Sequence, residues 1–93
     1  MLKIEEIRTK ALPVAKKYNV THLEIFGSYA NGAANQNSDV DFLVEFSVPI
    51  PSIFKVMGFR EELERSLGVK VDVVTLPLTN PKRLFIDKRE RIL

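Results

Sequence analysis

The octapeptide DVDFLVEF, residues 39–46, does most to narrow what this chain can fold into. Side chains alternate along an extended backbone. Val40, Phe42, Val44 and Phe46 therefore share one face, and Asp39, Asp41, Leu43 and Glu45 share the other. The first face asks for a core. The second projects two carboxylates in the same direction, with their Cα atoms roughly 7 Å apart. Like charges so placed are costly unless both are in water or both hold a cation.

Around this strand the sequence reads as α-β-β-α-β-α, an α+β domain with a small mixed sheet. A helix is expected over 3–18, where Ile4, Ile7, Ala11, Ala15 and Tyr18 recur at helical spacing, with a kink or break near Leu12 caused by Pro13. HLEIFG, 22–27, reads as a strand that Gly27 ends. Ser52 caps a helix over 53–67 with Ile53, Met57, Leu63 and Leu67 inward, and Gly68 stops it. KVDVVT, 70–75, is a third strand, and Asn80-Pro81 opens a last helix running to about Arg91. Phe54, Met57 and Phe59 are expected in the core, with Phe59 the one of the three best suited to an exposed contact.

Size and composition set the bounds. With 93 residues, 45% of them hydrophobic, the chain is read as one domain over 1–93; a domain of this size buries a little over ~60% of its unfolded surface. The absence of cysteine excludes disulfides and thiolate metal sites. No apolar run approaches the ~18 residues of a membrane span, and MLKIEEIRTK is too charged for a signal peptide, so a cytoplasmic protein with no membrane role is expected. The net charge of +2 hides an asymmetry: Tyr18 to Phe54 contains no lysine or arginine, while the basic residues gather at both ends. Those ends read first as solvated faces. A docking surface for an acidic partner or nucleic acid is the other reading, and without interleaved aromatics the nucleic-acid one is weak.

The chemistry follows from the acids. Asp72 lies among valines in a strand, where aspartate is a poor β-former. It makes sense if that strand lies beside 39–46 and delivers a third carboxylate. Three carboxylates suit hard divalent ions, Mg²⁺ or Mn²⁺, and can bridge two of them ~3.5–4 Å apart for in-line phosphoryl chemistry. Gly27-Ser28 follows the first strand; glycine lets a phosphate approach the backbone, and the serine hydroxyl and following N–H groups can bind phosphate oxygens. SYANG is expected to form one helical turn. A Walker loop is absent. A lone Gly-Ser is usually a turn, and a lone Asp-x-Asp usually a solvated strand entry; their combination at this spacing is what carries the reading. His22, the only histidine, reads as a surface residue.

GSYANG followed by SDVDFLVEF resembles the G-S-x₁₀-D-x-D element of the DNA polymerase β-like nucleotidyltransferase superfamily. The short length is similar to the minimal nucleotidyltransferase (MNT) proteins, antitoxin partners of HEPN-domain toxins. The resemblance implies that Gly27 and Ser28 contact the phosphates of ATP and that Asp39, Asp41 and Asp72 bind two Mg²⁺ ions and carry catalysis. It further implies transfer of AMP to a tyrosine of the toxin within a toxin–antitoxin oligomer. Many relatives carry arginine inside the G-S-x-x-x-G turn, where this chain has Tyr29 and Asn31. The alternative is an antitoxin with weak or no catalysis that neutralises the toxin by covering it. No R-x-x-x-x-H ribonuclease motif is present, so the chain does not look like the toxin half. Leu84, Phe85 and Ile92, flanked by Lys82, Arg83, Lys88 and Arg89, are the expected docking stripe.

Overall fold

The computed structural model describes residues 2–48, 51–75 and 89–93. Helix α1 (Ile4–Lys17) buries Ile7, Ala11, Val14 and Ala15, a helical repeat, and places Glu5 and Glu6 in its first turn and Lys16 and Lys17 in its last, matching the helix dipole. Of the kink or break expected near Leu12, the break does not occur: α1 runs through Pro13. Proline leaves the Thr9 carbonyl without its helical donor, but both residues are exposed, so water can serve that oxygen.

Strand β1 (Val20–Phe26) begins two residues earlier than the sequence implied. The one-turn helix α2 (Ser28–Asn31) follows it directly, then β2 (Val40–Phe46), α3 (Ile53–Leu67), β3 (Val71–Thr75) and a short β4 (Glu90–Arg91). The sheet order is β3-β2-β1-β4. The β1/β2 and β1/β4 pairs are antiparallel, and β2/β3, joined through α3, is parallel. This is the mixed α+β sheet the sequence implied.

Helix α3 has the expected limits. The Ser52 hydroxyl oxygen accepts the Lys55 N–H at 3.1 Å, and Gly68 closes the helix at φ 73°. Removing the cap by Ser52→Ala is expected to cost about 1 kcal/mol in denaturant unfolding; an unchanged midpoint would show that α3 does not depend on it. The inward set needs correction. Phe59, Leu63 and Leu67 are buried, whereas Ile53 (69%), Phe54 (82%) and Met57 (44%) are exposed. Phe59 fixes the phase: it packs edge-on between Tyr18 and Phe46, with centroids 5.8 and 5.7 Å away. A helix advances 100° per residue, so Met57, two residues earlier, turns to the far side. Phe59 is a core residue, and Phe54 is the exposed aromatic.

The end of the chain also differs. Positions 81–88 of the expected last helix lie outside the described residues, as do Lys82, Arg83, Leu84, Phe85 and Lys88 of the docking stripe. Glu90–Arg91 is a strand, and the Ile92 N–H donates to the Leu23 carbonyl at 2.7 Å. Ile92 is buried in the core, so it is not an exposed docking contact. A two-residue strand has no periodicity to reveal it, and the basic residues around it read equally well as a helix face.

Helices α1 and α3 lie on one face of the sheet, over Leu23, Ile25, Val40, Phe42, Val44 and Val71. The opposite, outer face carries Phe26 and Glu24 of β1, Asp41 and Leu43 of β2 and Asp72 of β3. Their registers pair Asp41 with Phe26 and Asp72, and Leu43 with Glu24.

Candidate active site

Alternation along β2 puts Asp41 on the outer face, and the parallel register sets Asp72 directly beside it. Asp39, one residue before β2 begins, projects the same way. The Val40 N–H donates to the Lys70 carbonyl at 3.0 Å, which carries the register one residue further and sets Asp39 level with Lys70. The three expected aspartates therefore lie at the N-terminal ends of two parallel neighbours, with Asp41 and Asp72 side by side.

Gly27 and Ser28 arrive from the other side. Gly27 stands at φ 74°, ψ −148°, a region open essentially to glycine alone. A Cβ there would fall onto Asp41 Oδ2 and 3.2 Å from its Cγ, so the turn after β1 is seated directly against the Asp41 carboxylate. Ser28 is the first residue of α2, which Gly32 ends in the left-handed conformation at φ 74°. Tyr29 is buried and packs into the core, and Asn31 is exposed.

The electrostatics agree with this crowding. The Asp41 carboxyl is pushed up from 3.8 to about 6, first by burial, then by the charges of Asp72 and Asp39, with a hydrogen bond to Asp72 adding to it. Among the described residues no three ligating side chains close into a finished metal cage. The three aspartates share a face and an electric field instead. As a donor set they fit a hard divalent ion: all are carboxylate oxygens, and a cation among them would relieve what raises the Asp41 carboxyl.

On the β3 side a cleft of about 310 Å³ opens against Asn37, Ser38, Asp39, Gly68 and Lys70. A larger hollow of about 390 Å³ touches Glu61, Glu64 and Arg65 on α3 and includes none of the site residues. The pairing of Glu24 with His22 and Arg89 escaped the sequence reading. Glu24 is buried on the outer face; its Oε1 lies 3.1 Å from His22 Nε2 and its Oε2 3.3 Å from Arg89 Nη1. Glu24 sits at an outer-face position of a recognisable strand, which was a legible signal. Arg89 was not legible, because its place depends on β4.

A glycine-serine turn packed on one of three carboxylates that share a sheet face is an arrangement able to bring divalent ions and phosphate oxygens together. The model of the nucleotidyltransferase domain matches residues 6–93, and the chain belongs to that family. It is 40% identical over 78 residues to the protein adenylyltransferase MntA of Thermococcus cleftensis, covering 80% of this chain and 78% of that one. Its fold matches a chain in the crystal structure of a toxin–antitoxin with AMP-PNP at a TM-score of 0.79 and 19% identity, over 92% of this chain and 72% of the other. It also matches a chain in the structure of the tri-AMPylated Shewanella oneidensis HEPN toxin in complex with MNT antitoxin at a TM-score of 0.72 and 15% identity, over 96% and 71%.

Proposed function

We propose that this chain is the antitoxin of a HEPN/MNT pair and a metal-dependent nucleotidyltransferase that moves AMP from ATP to a tyrosine hydroxyl of its partner toxin. The observation that carries the reading is the side-by-side register of Asp41 and Asp72 with Gly27 packed on Asp41. The name of the Thermococcus cleftensis relative and the HEPN toxin complex support the acceptor class. The AMP-PNP complex supports ATP as donor.

Residues 1–93 act as one domain in this reading. Asp39, Asp41 and Asp72 would hold divalent ions, Mg²⁺ or Mn²⁺, which when bound would neutralise charge on the phosphates. Gly27 lets the triphosphate approach the backbone, and Ser28 orients it through its hydroxyl and N–H. Asp72, at the side of the site away from Gly27, takes the proton of the attacking tyrosine hydroxyl. The phenolic oxygen bonds to the α-phosphorus, the bond from that phosphorus to the β-bridging oxygen breaks, and pyrophosphate leaves. Among the described residues no helix is long and apolar enough to cross a membrane, and the proposed compartment is the cytoplasm.

The test is to purify the chain with whatever accompanies it in its host and add ATP labelled on the α-phosphate with Mg²⁺. Label is expected on the co-purified protein, at tyrosine. Neutralisation without labelling would favour an antitoxin that acts by covering its partner, the reading consistent with a 28–31 turn that holds Tyr29 and Asn31 rather than arginine.

A further inference from the structure

Glu24 is the buried charged residue among the described residues, its side chain 12% exposed, on the outer face beside Leu43. A buried carboxylate is costly unless it is paired and hydrogen-bonded. Here the pairing is incomplete: Oε2 lies 3.3 Å from Arg89 Nη1 yet makes no hydrogen bond of good geometry. A buried ion pair is a weak device for stability, since an apolar replacement often serves as well. What the pair does accomplish is to draw the Arg89 guanidinium onto the outer face, against Glu24.

That position follows from the register. In the β1/β4 pair Arg91 is opposite Glu24 and Glu90 opposite Ile25. One residue further along sets Arg89 level with Phe26, whose other neighbour is Asp41, itself beside Asp72. A single row across the outer face thus runs Asp72, Asp41, Phe26, Arg89. Strands lie ~4.8 Å apart, so Arg89 is roughly 10 Å from Asp41 across the sheet. Between them β1 ends in Gly27-Ser28. The guanidinium is half exposed, and its fixed fork of donors matches phosphate oxygens.

We propose that Arg89, positioned by Glu24, is the phosphate-binding cation of this site, gripping the β- and γ-phosphates of the nucleoside triphosphate and the pyrophosphate as it leaves. The proposal rests on the nucleotidyltransferase reading and adds a residue to it. The electron pair of the breaking bond stays on the pyrophosphate oxygen. Arg89 neutralises that charge without exchanging a proton, since guanidinium stays protonated. The cation missing from the 28–31 turn is supplied from the opposite end of the chain.

The test is calorimetric titration of the full chain, with Mg²⁺, against ATP, AMP and inorganic pyrophosphate, for the wild type, Arg89→Gln, Arg89→Lys and Glu24→Gln, each checked by thermal unfolding. Arg89→Gln is expected to weaken ATP and pyrophosphate at least tenfold and leave AMP within twofold. Arg89→Lys should recover part of the loss, and Glu24→Gln should fall between. If Arg89→Gln fails to fold, Arg89→Lys decides, because losing the fork still weakens pyrophosphate more than AMP. ATP binding equal to wild type in Arg89→Gln, or equal losses for ATP and AMP, overturns the role of Arg89 and leaves the nucleotide site standing. A wild type that binds no nucleotide overturns both.

Discussion

An Asp41→Asn protein is expected to lose transfer by about 10²–10³-fold and yet to melt at a higher temperature than the wild type in EDTA at pH 7. The two effects have one origin. The Asp41 carboxyl is raised from 3.8 to about 6 by burial and by the charges of Asp72 and Asp39. A carboxyl raised on folding keeps a proton in the native state that the unfolded chain has already released. Its contribution to stability therefore declines as pH rises from about 4 to about 6 and stays low above that. Asparagine keeps the shape and carries no charge, so the decline disappears. The gain is roughly 1 kcal/mol, less than the full shift because the carboxyl is only partly buried and solvent screens it. Mg²⁺ should raise the melting temperature of the wild type more than that of the variant. A variant that melts lower in EDTA would show that the carboxylates do not repel as described, and undiminished transfer would remove Asp41 from the chemistry.

Gly27→Ala should damage the same site from the opposite side. Its backbone conformation, φ 74° and ψ −148°, costs a residue with a side chain ~1–3 kcal/mol, and the new methyl would occupy the place of Asp41 Oδ2. Either the carboxylate swings away from Asp72 or the turn lifts from the sheet. A displacement of about 1 Å in such a site can cost 10²-fold, and that is the loss expected in transfer. Gly32 supplies the control: it has the same φ of 74°, but a Cβ there meets nothing within 4 Å. Gly32→Ala should cost ~1–2 kcal/mol of backbone strain and keep its activity. Equal loss of transfer in the two variants would mean that the contact with Asp41 is irrelevant and only strain matters.

Residues whose environment is set by neighbours in sequence were legible from the start. β2 announced its two faces through strict alternation, α3 its start through Ser52 and its end through Gly68, and the carboxylates their common direction through spacing. Asp72 could be assigned to the same face because an aspartate within a valine strand needs a reason that the strand itself does not supply. The misreadings arose where distant packing decides. Which side of α3 turns inward depends on Phe59 wedging between Tyr18 and Phe46, and those contacts leave Ile53, Phe54 and Met57 in water. The helix through Pro13 survives because the carbonyl it deprives faces solvent. β4 exists because the edge of β1 offers hydrogen bonds to Glu90, Arg91 and Ile92, a demand no local pattern around those residues expresses. Glu24 and Arg89 found one another only through that pairing.

The docking of β4 on β1 also sets a timetable for folding. β1 and β2 are antiparallel and close in sequence, so Gly27 and Asp41 can meet early. The parallel β2/β3 pair forms only after α3 has folded across, and non-local pairings of this kind are slow to form because loop closure precedes any reward. The β1/β4 pair spans still more chain, and Arg8 reinforces it by donating to the Arg91 carbonyl at 3.3 Å. By order of loop closure, Asp72 is expected to join the earlier acids before Arg89 reaches the same row. A folding intermediate without β4 would therefore present the acidic face with no Arg89 guanidinium beside it, and, under the role proposed for Arg89, would hold a nucleoside triphosphate less tightly than the complete sheet.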